Sequence, residues 1–152
     1  MIRAWLERPL LSVTDINRRS AAVSALVENT VAREELILTL QGISDMERLV
    51  GRIVYGTAGG RDLASLRAAM EKLPLVKAQL AAFGRGRLHQ LDEELEDLND
   101  LAALIGQTLV DEPPFSVREG ELIRDGFDSE VDRLRSILHG GKDVIVRMEA
   151  AE

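Results

Sequence analysis

The chain has 152 residues, 45% of them hydrophobic but only 3% aromatic, and a formal net charge of −7 from 26 acidic against 19 basic residues. That length is one ordinary domain or part of a larger one. The hydrophobic fraction argues against disorder, and a core made mainly of Leu, Ile, Val and Ala favours packed helices over a β-sandwich. With no cysteine there is no disulfide framework, thiolate zinc site or thiol nucleophile. The acidic excess argues against unaided tight DNA binding, which needs Lys and Arg to displace counterions from phosphates. No apolar run reaches the roughly 18–20 residues of a membrane span and no signal peptide is visible, so a cytoplasmic chain is expected.

In chain order, "MIRAWLERPLL" reads as the tail of a helix, with Ile2, Trp5 and Leu6 on one face and Pro9 as the stop. Thr14 is a cap candidate for a second helix, and Thr30 for a third that Gly42 ends. Ser44 and Glu47 form a capping box ahead of the stripe Met46, Leu49, Val50, Ile53, Val54, which "YGTAGG" ends. Asp62 starts a further helix, Pro74 breaks or kinks it, and "GRGR" at 84–87 is a loop. Leucines at 88, 91, 95, 98 and 101 approach a heptad seam. Pro113 and Pro114 rule out helix, and Phe115 to Arg118 and Glu121 to Arg124 are expected as short strands joined at Gly120. From Phe127 a last helix runs through Gly140 and Gly141, about 40 Å long if it is unbroken to Glu152. Both ends of the chain read as cut from something longer.

The acidic run "LDEELEDLND" offers Asp92, Glu93, Glu94, Glu96, Asp97 and Asp100 as metal ligands. A di-iron bundle, however, needs inward carboxylates and Glu-x-x-His pairs. Here leucines take the inward positions and His89 lacks such a partner, so a solvated helix face is the reading. "HGGKD" at 139–143 fails the phosphate-loop pattern, because Ser136 stands where glycine is needed and Asp143 where Ser or Thr is needed. The short basic clusters "GRGR" and "NRR" can touch phosphates, but are more often solvated in an acidic domain. Arg48 and Arg52, one turn apart beside Asp45 and Glu47, suit a structural ion-pair network or an inter-domain contact, or else exposed pairs of little value. No serine has a nucleophile-elbow context.

Taken together, several segments resemble the core, or lever, region of the MutS family of DNA mismatch-repair ATPases. The family pattern R-x-W-L-x-x-P-L reads as Arg3, Trp5, Leu6, Pro9 and Leu10, and D-x-E-R-x-x-x-R-I as Asp45, Glu47, Arg48, Arg52 and Ile53. R-D-L follows at Arg61, Asp62 and Leu63, with Gly60 where a proline usually stands. Pro113 and Pro114, then Arg118, Gly120, Ile123, Gly126, Phe127 and Asp128 complete the set, with Glu121 in place of a frequent second glycine and Phe127 in place of a frequent Tyr.

The resemblance implies a mainly all-α fold: a helical core over 1–111, a short β-ribbon connector over 112–126, and the start of a long lever helix over 127–152. It implies a structural and coupling role without catalysis, with no cofactor, metal or catalytic residue in the chain itself. ATP and magnesium are expected only in the ATPase domain of a longer parent. Through that parent the implied partners are its other domains, mismatched DNA, a second MutS subunit and a MutL-type protein, with no membrane. The alternatives are a stand-alone helical protein–protein interaction module and, further off, a carboxylate metalloenzyme.

Overall fold

Helix capping sets the order of the elements. The computed structural model describes residues 2–149, with side chains for all of them except residues 2, 4, 139 and 142–149. Helix α1 (Ile2–Glu7) stops ahead of Pro9, and α2 (Val13–Glu28) begins where the Ser12 hydroxyl accepts the Asp15 amide at 3.3 Å. Asn29 closes α2 and opens α3 (Thr30–Gln41), its Oδ1 accepting the Ala32 amide at 3.2 Å. Asp45 starts α4 (Met46–Val54) by accepting the Arg48 amide at 3.0 Å. Thus Ser12, Asn29 and Asp45 hold the cap positions, not Thr14, Thr30 and Ser44. The reason is chemical: Asn, Asp and Ser are better N-caps than Thr, and the Asp45 carboxylate also opposes the positive end of the helix. Gly42 ends α3 as expected.

Helix α5 (Gly60–Met70) starts two residues before Asp62, whose carboxylate reaches back to the Gly59 amide at 2.9 Å. A break precedes α6 (Leu73–Ala81), which takes Pro74 in its first turn, where a missing N–H costs nothing. Gly84 and Gly86, both with positive φ, turn the chain into α7 (Arg87–Glu94). Helix α8 (Asn99–Thr108) follows, and α9 (Ser129–Glu149) is the last and longest element.

The leucine seam is not continuous. Leu98 adopts a left-handed conformation (φ 52°) between α7 and α8, so the heptad positions fall on two differently directed helices. The Lys77 ammonium from α6 supports the break by donating to the carbonyls of Asp92 and Leu95. Leu88 is buried, whereas Leu91 and Leu101 are 37% and 46% exposed. The acidic run therefore spans a helix end, a turn and a helix start, and its Asp92 faces Lys77 at 3.9 Å.

Two apolar clusters hold the body together. Leu49, Leu66, Met70, Leu73 and Ala102 join α4, α5, α6 and α8, while Leu36, Val76, Leu80 and Leu88 join α3, α6 and α7. Ile43 and Leu95 pack against both, making one core of two lobes. Leu49, 2% exposed, is the most enclosed large side chain; burial of that extent contributes about 2 kcal/mol per leucine.

The expected hairpin over 115–124 is absent. Residues Val117–Glu119 form a single 3-10 turn, in which the Ser116 hydroxyl accepts the Arg118 amide and the Glu119 carboxylate accepts the Ser116 amide at 2.9 Å. This local bonding occupies the groups a ladder would need. The extended residues pair elsewhere: Ile123 bridges antiparallel to Leu109, with Val110 N to Leu122 O at 3.2 Å and Arg124 N to Thr108 O at 2.8 Å. Helix α9 begins at Ser129 rather than Phe127, because the Asp128 carboxylate accepts the amides of Glu130 and Val131 at 2.8 and 3.2 Å. It continues through Gly140 and Gly141 without a break. Glu152, to which the heptad was expected to extend, lies outside the described residues.

Candidate functional site at the base of the last helix

A set of arginines ties the start of α9 back to the helical body, and the sequence order explains how they meet. The chain leaves α8 at Thr108, crosses the start of α5, turns at Gly120, and returns as residues 122–124 beside 108–110 before entering α9. Each pass is held by a guanidinium. Arg61, in the first turn of α5, donates to the Pro113 carbonyl at 3.1 Å and lies 5.6 Å from the centroid of the Phe115 ring. Arg67, two turns along α5, reaches Asp111 at 3.3 Å, and Arg124 reaches the same carboxylate oxygen at 2.9 Å while also donating to the Leu109 carbonyl at 3.1 Å. Arg135, in the second turn of α9, donates to Asp125 at 2.6 Å and to the Ile123 carbonyl at 2.7 Å. Gly126 N donates to Asp132 at 2.9 Å, fixing the entry angle of the helix.

Two glycines let the backbones close on one another. A Cβ on Gly60 would overlap Leu122 Cδ1 and stand 2.8 Å from Pro113 Cβ, so this crossing packs against bare helix backbone. Gly106 of α8 lies under Arg67, whose Nη1 would be 3.4 Å from an added Cβ. Below the crossing, Arg52 of α4 pairs with Asp62 at 2.9 Å and donates to the Thr57 carbonyl at 3.1 Å. Asp62 thus serves at once as a cap for the α5 start and as the partner of Arg52.

One carboxylate balances two guanidiniums at the centre of this set. The Arg124 hydrogen bond and charge, with a smaller share from Arg67, hold the Asp111 carboxyl below its ordinary value of 3.8. Asp111 is exposed to solvent, so the pairing directs geometry more than it adds stability. The arrangement offers fixed polar ties, not a nucleophile with a base. Among the described residues no cluster of His, Asp and Glu could hold a metal ion. No helix among them is long and apolar enough to cross a membrane.

The structure divides the sequence-derived motif residues between this base and more local tasks. Arg52, Arg61, Asp62 and Pro113 meet in it, Pro114 flanks it, and Gly120 (φ 79°) and Gly126 (φ 84°) make its turns. Phe127, half-exposed, donates its amide to the Arg124 carbonyl at 3.2 Å. Asp45 caps α4; Glu47 and Arg48 lie in the first turn of that helix, where Arg48 contributes its amide. Trp5 and Pro9 lie at the other end of the chain, with the Arg19 guanidinium 4.2 Å above the Trp5 ring. The proposed Asp45/Glu47/Arg48/Arg52 group is therefore not one network: Arg52 turns to Asp62. Arg67, Asp111, Arg124, Asp125 and Arg135 were not singled out from the sequence. The contacts that join them lie 10 to 44 residues apart, beyond any local spacing rule, although Arg67 also pairs locally with Glu71 at 3.1 Å.

Comparison with known proteins gives a consistent answer. The family model for MutS domain III matches residues 1–151. The chain is 43% identical over its whole length to the DNA mismatch repair protein MutS of Desulforamulus reducens, covering 18% of that protein. It is 41% identical to the MutS of Halothermothrix orenii and to that of Symbiobacterium thermophilum, again over its whole length and 17% of each relative. The chain thus spans under a fifth of the curated relatives it matches. These matches show that the chain belongs to the MutS domain III family, the core domain of MutS mismatch repair proteins.

Proposed function

We propose that this chain is the structural and coupling domain of a MutS-type mismatch-repair protein. It relays conformational change between an ATPase domain and a DNA clamp and performs no catalysis itself. On this reading α9 is the start of a lever, residues 112–126 its connector and residues 1–111 the body on which it stands. The parent supplies ATP and magnesium in its own ATPase domain. Mismatched DNA, a second MutS subunit and a MutL-type protein are partners of that parent, and this chain binds no cofactor.

The observation that supports the reading best is the double anchoring of the α9 base. Arg124 and Arg67 clamp Asp111, and Arg135 clamps Asp125 and the Ile123 carbonyl, so the first turns of α9 follow any movement of α5 and α8. Packed helices joined by hydrogen-bond and ion-pair networks can carry coupling between distant sites where they have two discrete arrangements.

The test uses the full-length parent with Arg67→Gln and Arg124→Gln together. Mismatch binding is followed by fluorescence anisotropy with and without ATP, and ATPase turnover with and without mismatched DNA. The expected result is near-normal DNA affinity and basal ATPase, but a weakened effect of each ligand on the other. Unchanged mutual effects in a folded variant would refute the role. The isolated chain is expected to hydrolyse no ATP and to bind DNA weakly without mismatch preference. Submicromolar mismatch-selective binding by the isolated chain would also refute it.

A further inference from the structure

A second feature lies on α2 and α7, outside the α9 base. The "GRGR" turn and the "NRR" segment, unrelated in the sequence, come together around one recess of about 360 Å3. Arg18 of α2, Arg85 of the turn and Arg87 of α7 stand on its rim, and Ala22, Phe83 and Leu88 are among the apolar residues beneath. That size and lining, apolar with a few convergent polar groups, matches sites for small ligands. Above the turn the space is open: an added Cβ at Gly84 or Gly86 would meet nothing within 4 Å.

The charge at this place runs against the rest of the molecule. In a chain of net charge −7, three arginines converge here, with Arg19 adjacent to Arg18 in α2. Their own partners hold them loosely. Arg18 is 3.8 Å from Asp15, and Arg87 pairs with Glu94 at 2.7 Å but both are open to solvent; among the described residues Arg85 forms no ion pair. Exposed pairs of this kind contribute under about 1 kcal/mol. A phosphate, which accepts paired hydrogen bonds from a guanidinium fork, competes well against them.

We infer that this recess binds a phosphate group, carried by a nucleic-acid backbone or by a free polyphosphate. Arg85 makes the leading contact, and Arg18 and Arg87 close on the ligand from either side. Coupling through the α9 base needs no ligand here, so the two readings stand independently.

The test titrates the 15N-labelled chain separately with inorganic pyrophosphate and with a short oligothymidylate, at several salt concentrations. Amide shifts are expected at Arg18 and at Arg85 to His89, with affinity reduced about tenfold in Arg85→Gln and abolished in Arg18→Gln/Arg85→Gln/Arg87→Gln. If the oligonucleotide binds more tightly, with log K falling against log salt at a slope of about −2 for three contacts on a single strand, the source is nucleic acid. If pyrophosphate binds at least as tightly, it is a free anion. All three arginines are surface residues outside the apolar clusters, and circular dichroism of each variant checks that it is folded. No shift with either probe, or the same shifts in the triple variant, would overturn the inference.

Discussion

Replacing Gly60 with alanine is the sharpest test of how the crossing segment sits on the body. The added Cβ would overlap Leu122 Cδ1 and lie 2.8 Å from Pro113 Cβ. The leucine methyl can swing aside, but the proline ring is fixed in the backbone, so the 113–122 crossing must move or α5 must shift. Overpacking of this kind costs about 1–3 kcal/mol. For a chain of this size each kcal/mol moves the midpoint by roughly 2–4 °C, giving a fall of roughly 2–12 °C. Gly51, inside α4 with nothing within 4 Å of an added Cβ, is the control. There alanine should raise stability by about 0.5–1 kcal/mol, because it removes backbone freedom from the unfolded chain. Thermal unfolding followed by circular dichroism at 222 nm reads both. If Gly60→Ala is as stable as Gly51→Ala, the crossing does not rest on α5, and the account of the anchored α9 base fails with it.

Glu121 has φ 52°, a conformation that suits glycine, so Glu121→Gly should stabilise the chain by about 0.5–1 kcal/mol; a loss in urea unfolding would refute this. Asp111 should titrate below 3.8, followed by NMR of its side-chain carbon. Because its folded value is depressed, its contribution is present above about 3.8 and is lost as pH falls through the lowered value. Asp111→Asn should remove that acid-dependent component, and a carboxyl titrating at or above 3.8 would contradict the clamp. Lys77→Met keeps the aliphatic stem but leaves the carbonyls of Asp92 and Leu95 without their donor. A loss of about 1–3 kcal/mol is expected in urea unfolding, and an unchanged midpoint would mean that the α7–α8 break holds itself.

Much of the helical body was legible because its signals are local. The Met46 to Val54 stripe, the Gly42 stop and the Pro74 interruption each depend on residues within one or two turns, and each is found. Cap positions slipped by one or two residues because a stronger acceptor stood next to the expected one. The leucine series misled for a different reason: spacing records which residues are apolar, not whether the helix continues between them. The backbone turns at Leu98, and Lys77, reaching across from a separate helix, bonds the carbonyls that the break leaves open. The hairpin over 115–124 failed in the same way. Its sequence suits a turn, but the partner of Ile123 is Leu109, fourteen residues back. The glycine that the resemblance placed at 121 also gains a physical reason here, since that residue sits at positive φ. Of the candidate site, Arg52, Asp62 and Pro113 were readable as local features and Arg61 only as a motif member; the contacts that join them are non-local.

The exposed surface bears on how such a domain could act. The chain exposes 11444 Å2, against roughly 7,600 Å2 for a compact monomer of its mass. The excess includes apolar residues on α9, where Leu134, Ile137 and Leu138 are 54%, 57% and 64% exposed. A helix that is solvent-facing along this stripe gains its direction from its base, which is where the ionic ties concentrate. Its 21 residues span about 31 Å at 1.5 Å per residue, while Arg135 lies about 9 Å from its start. For a rotation of the helix about Ser129, a displacement of about 1 Å at Arg135 becomes about 3 Å at the far end, since the helix is continuous through Gly140 and Gly141. On the proposed reading, polar ties at the base combined with a continuous helix beyond it amplify motion instead of absorbing it. On the same reading, that makes the Arg135–Asp125 contact the place where a small change in the body has its largest effect at a distance.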